Sequence, residues 1–331
     1  MLKIHWKFIV VCIILLAISI IRFQKGEVQQ DNYLGYAASL PSGLKNISFF
    51  DSRLFPGLPI IIFTLNLIIN NNTISGYLAV FLAFIGSYSI LYKLTGSKLS
   101  FLPLIFPPVM LSQATLVATE IPTLFIILLT LYLFKKKQFA LALFLSSFGF
   151  WIRAVAIVPG LVILVYLFIK SGKKALKYLP YFFLPLVLLM LFNSHFFGLK
   201  DFFHQFFAYK AAGINTLGII QVLADIPRSY RWGWYRIFVS GVCYFSLSLF
   251  MLSKSVLEFK KEREIFNRIV FIIFMASLAF IYSLNSVPFL ENLGRFLAPT
   301  IPLFWVLFQD RFKNGKIIYL LLPISALVVL F

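Results

Sequence analysis

Pro56-Gly57-Leu58-Pro59-Ile60-Ile61-Ile62-Phe63-Thr64-Leu65-Asn66-Leu67-Ile68-Ile69 follows the charge pair of Asp51-Ser52-Arg53, and whether it crosses a membrane decides the side of every later residue. The run has about fourteen residues, short of the roughly 17 to 25 that a spanning helix uses. A start with two prolines suits a helix that lies along a surface, because proline is tolerated in the first turn and not beyond it. We read 56–69 as an interfacial or re-entrant helix on the outer side, not as a crossing.

The rest of the chain explains why a membrane is the frame at all. Of 331 residues, 61% are hydrophobic and only 12% charged, and with 40 phenylalanines no water-soluble domain could cover so much apolar surface. No polar tract is long enough to form a separate domain, so residues 1–331 read as a single polytopic membrane domain. The net charge of +19 would suggest nucleic acid in a soluble protein, but here the lysines fall in short clusters between apolar runs, the positive-inside pattern. Cys12 and Cys243 each lie within an apolar segment and form neither a disulfide framework nor a metal pair, and no metal or cofactor is expected. The first apolar run follows Lys3 and Lys7 and lacks a small-residue cleavage site, which predicts a retained first span.

Before Lys135 the apolar runs are 8–21, 56–69, 77–92, 99–117 and 118–134. If all five crossed, Lys135, Lys136 and Lys137 would face outside. Removing 56–69 puts every lysine cluster inside: Lys93 and Lys98, 135–137, 170–177, 254–268 and 311–316. Most of the 11 acidic residues then lie outside. The predicted spans are 8–23, 76–92, 99–117, 120–134, 138–152, 154–169, 178–194, 234–252, 269–284, 296–309 and 317–331. The expected fold is all-α, with about eleven transmembrane helices. Two long outer segments remain, 24–75 with interfacial helices and 195–233, which is rich in aromatic and basic residues.

Ionisable groups at membrane level are costly, and each is a candidate site unless it snorkels or caps. Asp31 opens Asp31-Asn32-Tyr33-Leu34-Gly35-Tyr36-Ala37-Ala38 after the first span, where a short helix would project Asp31, Leu34 and Ala38 on one face. It suits either a cap or a catalyst. Arg53 suits a lipid phosphate or a pair with Asp51. Glu120, in Ala118-Thr119-Glu120-Ile121-Pro122, stands at the outer end of a span and suits a helix N-terminus. Arg153 sits in a tight outer hairpin, and Glu291-Asn292-Leu293-Gly294-Arg295-Phe296 offers another arginine at the same depth. Such arginines are structural turn residues or phosphate ligands. Arg228, Arg231 and Arg236, among Tyr230, Trp232 and Trp234, read first as an aromatic interface belt. An acid able to deprotonate an acceptor, facing arginines able to hold a departing lipid phosphate, is the layout that glycosyl transfer from a polyprenyl-phosphate donor requires.

In these residues the chain resembles the GT-C superfamily of integral-membrane glycosyltransferases, which includes protein O-mannosyltransferases and the aminoarabinose transferases of lipid A. The resemblance rests on Asp31, Tyr33, Ala37 and Ala38 after the first span, then the Pro56-Gly57-Leu58-Pro59 helix. Ala118-Thr119-Glu120, Arg153, and Gly294-Arg295-Phe296 with Pro299 and Pro302 complete it. It implies inverting transfer of a sugar onto a glycan, lipid or protein acceptor outside the cytoplasm. Asp31 would be the general base, Glu120 the second acid, and Arg153 and Arg295 ligands of the donor phosphate. Asp31 is followed by Asn32 where many members carry two adjacent acids, which argues against a metal-dependent mechanism.

The competing readings are a transporter or flippase of a lipid-linked or anionic substrate, and a non-catalytic subunit of the same fold. Transporters place charges near the midplane, whereas the predicted spans are nearly free of charge. The Lys, Ile, Phe and Asn bias points to a bacterial cytoplasmic membrane, with the N-terminus in the cytoplasm and the site outside, serving the cell envelope. The expected partners are the polyprenyl-phosphate sugar, its acceptor and membrane lipid, with no nucleic acid.

Overall fold

The computed structural model describes residues 6–45, 47–48, 54–106, 108–198, 223, 225, 227, 231, 235–260, 262–283 and 289–308. Arg53, Asp51, Arg228, Tyr230, Trp232, Trp234, nearly all of the 195–233 segment and the predicted span 317–331 lie outside them. Among the described residues the chain is helical, with no strand and a single isolated bridge. The helices are α1 (Trp6–Gln24), α2 (Tyr33–Ser39), α3 (Gly57–Ile69), α4 (Asn72–Thr95), α5 (Pro108–Ala114), α6 (Glu120–Lys135) and α7 (Phe139–Gly149). They continue as α8 (Val158–Ser171), α9 (Leu179–Phe197), α10 (Tyr235–Phe259), α11 (Ile265–Ser283), α12 (Phe289–Leu297) and α13 (Ile301–Phe308).

Five stretches among the described residues are long and apolar enough to cross a membrane: Trp6–Gln24, Asn72–Thr95, Ala154–Phe197, Gly241–Phe259 and Ile265–Ser283. The third, of 44 residues, is too long for one pass. A 3-10 segment, Gly172–Tyr178, interrupts it, with exposed Lys173, Lys174 and Lys177 and a left-handed Gly172 at φ 53°.

Several predicted spans are corrected. Residues 99–117 are not one helix but a 3-10 turn at Leu102–Leu104 followed by the seven-residue α5, because Pro103 and Pro108 remove donors and block continuation. Phe101, Leu102, Leu104, Ile105, Met110 and Leu111 are nonetheless buried. The 138–152 span shortens to the 11 residues of α7. The predicted 296–309 span is the end of α12 turning through a 3-10 segment at Ala298–Thr300, which holds Pro299, into α13, whose first turn holds Pro302.

The buried centre is α6, apolar on all sides and covered along most of its length. Beside it α4 carries small residues at helical spacing, Gly76, Ala79, Ala83, Gly86 and Ser87, and Gly86 leaves the space taken by the Phe125 ring. In lipid, close approach of this kind holds helices together, since lipid tails are as apolar as leucine. The two helices run in the same direction: the Lys135 ammonium donates to the Leu94 carbonyl at 3.2 Å, and Lys93 lies 5.4 Å from the Tyr132 ring. The segment between them therefore returns across the bundle as a broken, buried path. Helix α1 runs the opposite way, with Phe8 stacked on Tyr88 at one end and Arg22 at the other bonded to the Ser112 carbonyl and hydroxyl and to the Thr115 hydroxyl.

The stretch 56–69 is α3, of 13 residues, ended by left-handed Asn70. It packs with α2 and the start of α4 in a small separate core of Tyr33, Ala37, Leu58, Ile62, Ala79 and Val117. Its first N–H, from Gly57, donates to the Trp151 carbonyl at 2.7 Å, and the Trp151 indole donates to the Pro185 carbonyl at 2.8 Å. The turn carrying Arg153 is thus gripped from both sides. A Cβ on Gly57 would stand 2.7 Å from that carbonyl, a backbone group that cannot swing aside. Gly57→Ala is expected to lower stability by about 1–3 kcal/mol, the usual cost of overpacking, read as a lower thermal midpoint of the solubilised protein. An unchanged midpoint would contradict this docking.

Candidate functional site: a buried cluster of two arginines and two carboxylates

Asp31 and Glu120 are brought to one arginine, Arg295, by backbone pairing of two loops. The Val117 N–H donates to the Val28 carbonyl at 3.0 Å and the Gln30 N–H to the Val117 carbonyl at 3.3 Å. This clamp sets Asp31 beside Thr119 and Glu120, although the two acids are far apart in sequence.

Asp31 is not the helix cap. Asn32 is, its side-chain oxygen accepting the Gly35 N–H, and the helix starts at Tyr33. The expected face of Asp31, Leu34 and Ala38 is therefore replaced by buried Tyr33, Tyr36 and Ala37, with Ala38 exposed. The Asp31 carboxylate instead accepts from Arg295, Nη2 to Oδ2, at 2.8 Å. Tyr33 shares a hydrogen bond with the Thr119 hydroxyl at 3.3 Å. Burial, reinforced by the Asp31 and Glu120 carboxylates, pushes its phenol well above the ordinary value, so it acts as a neutral hydroxyl.

Glu120 is the first residue of α6, where a carboxylate faces the positive end of the helix. Its side chain has no exposed surface. Oε1 accepts from Arg153 Nη1 at 2.5 Å and from Arg295 Nε at 2.9 Å. Oε2 is buried with no hydrogen-bond partner among the described residues. Arg153 also donates to the Thr119 hydroxyl at 3.3 Å, and its guanidinium lies 5.3 Å from the centre of the Phe296 ring. Arg295 is delivered by α12, which sits against α10 where Gly294 leaves space for the Tyr244 ring.

Four residues singled out in the sequence thus meet in one cluster, drawn from four separate segments, and Tyr33 touches it through Thr119. Lys93, Lys135 and Lys136 lie at the far end of α4 and α6 from it. Glu291 falls in α12, with its side chain outside the described residues. Sequence reading did not single out Thr119 and Phe296 for any role, although both stand beside quoted charges. The amide pair of Gln113 and Gln30, Nε2 to Oε1 at 3.3 Å with Gln113 buried, carries no charge and so leaves no signal in the sequence. No group of three or more His, Cys, Asp or Glu with metal-holding geometry occurs among the described residues.

No protein-family model matches the chain, and no curated protein or solved structure matches it either.

Proposed function

We propose that this protein is an integral-membrane glycosyltransferase of the GT-C kind. It moves a sugar with inversion from a polyprenyl-phosphate donor to a glycan, lipid or protein acceptor outside the cytoplasm. The observation that carries the reading is the convergence of Asp31, Glu120, Arg153 and Arg295 at one end of an apolar helical bundle. The layout proposed with it has about eleven passes, the N-terminus in the cytoplasm, residues 56–69 at the outer surface and 96–119 as a broken pass.

In this reading the acceptor O–H gives its proton to Asp31. The acceptor oxygen attacks the anomeric carbon from the face opposite the phosphate, and the bond from that carbon to the phosphate oxygen breaks. The electron pair leaves with the polyprenyl phosphate, whose charge goes from about −1 to about −2. Arg153 and Arg295 offer guanidinium donors where that charge develops, and such preorganised donors are commonly the largest contribution to rate. Glu120 keeps the two cations side by side. A donor anchored in the bilayer also accounts for a site built at the rim of an apolar bundle.

The test is the full chain in proteoliposomes, given polyprenyl phosphates that carry a labelled hexose or pentose, together with an envelope extract as acceptor. Label is expected to move to the acceptor fraction with release of polyprenyl phosphate. No release from any of these donors would sink the reading.

A further inference from the structure

Among the described residues the cluster pairs two guanidiniums with two carboxylates, whose charges balance. A phosphate entering it adds a negative charge and needs donors that are already engaged. Arg153 is committed to Glu120 and Thr119 and covered by Phe296, whereas Arg295 divides its donors between Glu120 and Asp31. The two carboxylates differ in how easily they can leave. Glu120 has no exposed side-chain surface and receives both arginines, so its departure would strand two buried cations. Asp31 has a side chain 34% exposed, sits on a loop ahead of the Asn32 cap and meets Arg295 at 2.8 Å.

We propose that the Asp31 carboxylate is a resident anion on Arg295 and that the phosphate of the lipid-linked donor displaces it, so that donor binding itself releases the base. This rests on the function proposed above. The exchange breaks one ion pair, Arg295 to Asp31, and forms one, Arg295 to a phosphate oxygen. It makes no covalent change. Afterwards the Asp31 carboxylate, no longer held by Arg295, has its Oδ2 open to the acceptor hydroxyl. The carboxylate is therefore available to the acceptor only when a donor is in place, and the order of binding is donor before acceptor. Glu120, fixed between the two arginines, is a positioning residue in this scheme.

The experiment is equilibrium binding of a short-chain polyprenyl monophosphate to the full chain in nanodiscs, with the matching polyprenol and inorganic phosphate as separate arms. Asp31→Asn removes the competing charge and keeps the shape, and is expected to bind the lipid phosphate roughly three- to tenfold more tightly than the wild type. Asp31→Ser repeats the comparison with a smaller neutral side chain. In an Arg295→Gln background the Asp31 change should have no effect, since the pair it removes is gone. Tightening of the polyprenol to the same extent would assign the effect to the chain and overturn the proposal. Tightening of inorganic phosphate alone would keep the anion exchange but move its source from a lipid headgroup to a free ion. Unchanged or weaker binding in both Asp31 variants overturns it outright. If sugar transfer is measured but the tightening is not, only the exchange fails. If the tightening is measured and no donor yields transfer, the exchange stands and the transferase reading fails.

Discussion

Asp31→Asn is expected to lower sugar transfer by about 10²–10⁴-fold, the range supplied by a positioned general base, while the thermal midpoint of the solubilised protein changes little. The separation of the two effects follows from the local geometry. Helix α2 is capped by Asn32, so the substitution removes no capping bond. An asparagine side chain still offers Arg295 an oxygen, and the position is partly exposed, so no buried cation is left alone. What disappears is the capacity to accept a proton. Initial rates at saturating donor, beside a thermal scan of the same preparation, check both halves. Activity within a few fold of the wild type would exclude Asp31 as the base.

Glu120→Ala should show the reverse profile, with a stability loss of about 3–5 kcal/mol, the usual cost of removing one partner from a buried ion pair. The carboxylate sits at 2.5 Å and 2.9 Å from two guanidiniums, and without it Asp31 is the one carboxylate among the described residues that pairs with them. Glu120→Gln keeps an acceptor at Oε1 without the charge, and its midpoint is expected between those of alanine and the wild type. The three midpoints, measured in one detergent, test the ordering. An alanine variant as stable as the wild type would mean that the cluster does not hold the bundle together.

The parts of the molecule legible in the sequence were those set by charge and by proline. Asp31, Glu120, Arg153 and Arg295 stood out because ionisable groups are rare in an apolar chain, and a rare group at a helix end has few options but to find a counter-charge. The brevity of 56–69 and its two prolines sufficed to recognise α3 as a separate element. The start of α2 was not legible, because Asp and Asn cap equally well and either Asp31 or Asn32 could open the helix. Residues 99–117 were misread for a different reason. Apolarity reports burial, not helicity, and Phe101 to Ile105 are as buried in a turn as they would be in a spanning helix. The pairing of Val28 and Gln30 with Val117 is a backbone event that leaves no trace in side-chain pattern.

That broken return has a consequence for how the protein is made. A helix satisfies its own backbone, whereas the stretch between α4 and α6 sends part of its bonding outside itself: the Val109 N–H goes to the Tyr244 hydroxyl and the Val117 N–H to the Val28 carbonyl. The partners of the segment include Arg22 of α1, which bonds to Ser112 and Thr115, and Tyr244 of α10, whose hydroxyl accepts the Val109 N–H. Tyr244 emerges from the ribosome long after Val109. The native bonding of Val109 is therefore completed only once Tyr244 has been made and packed, whereas the pairing of Val117 with Val28 and Gln30 needs nothing beyond the N-terminal half.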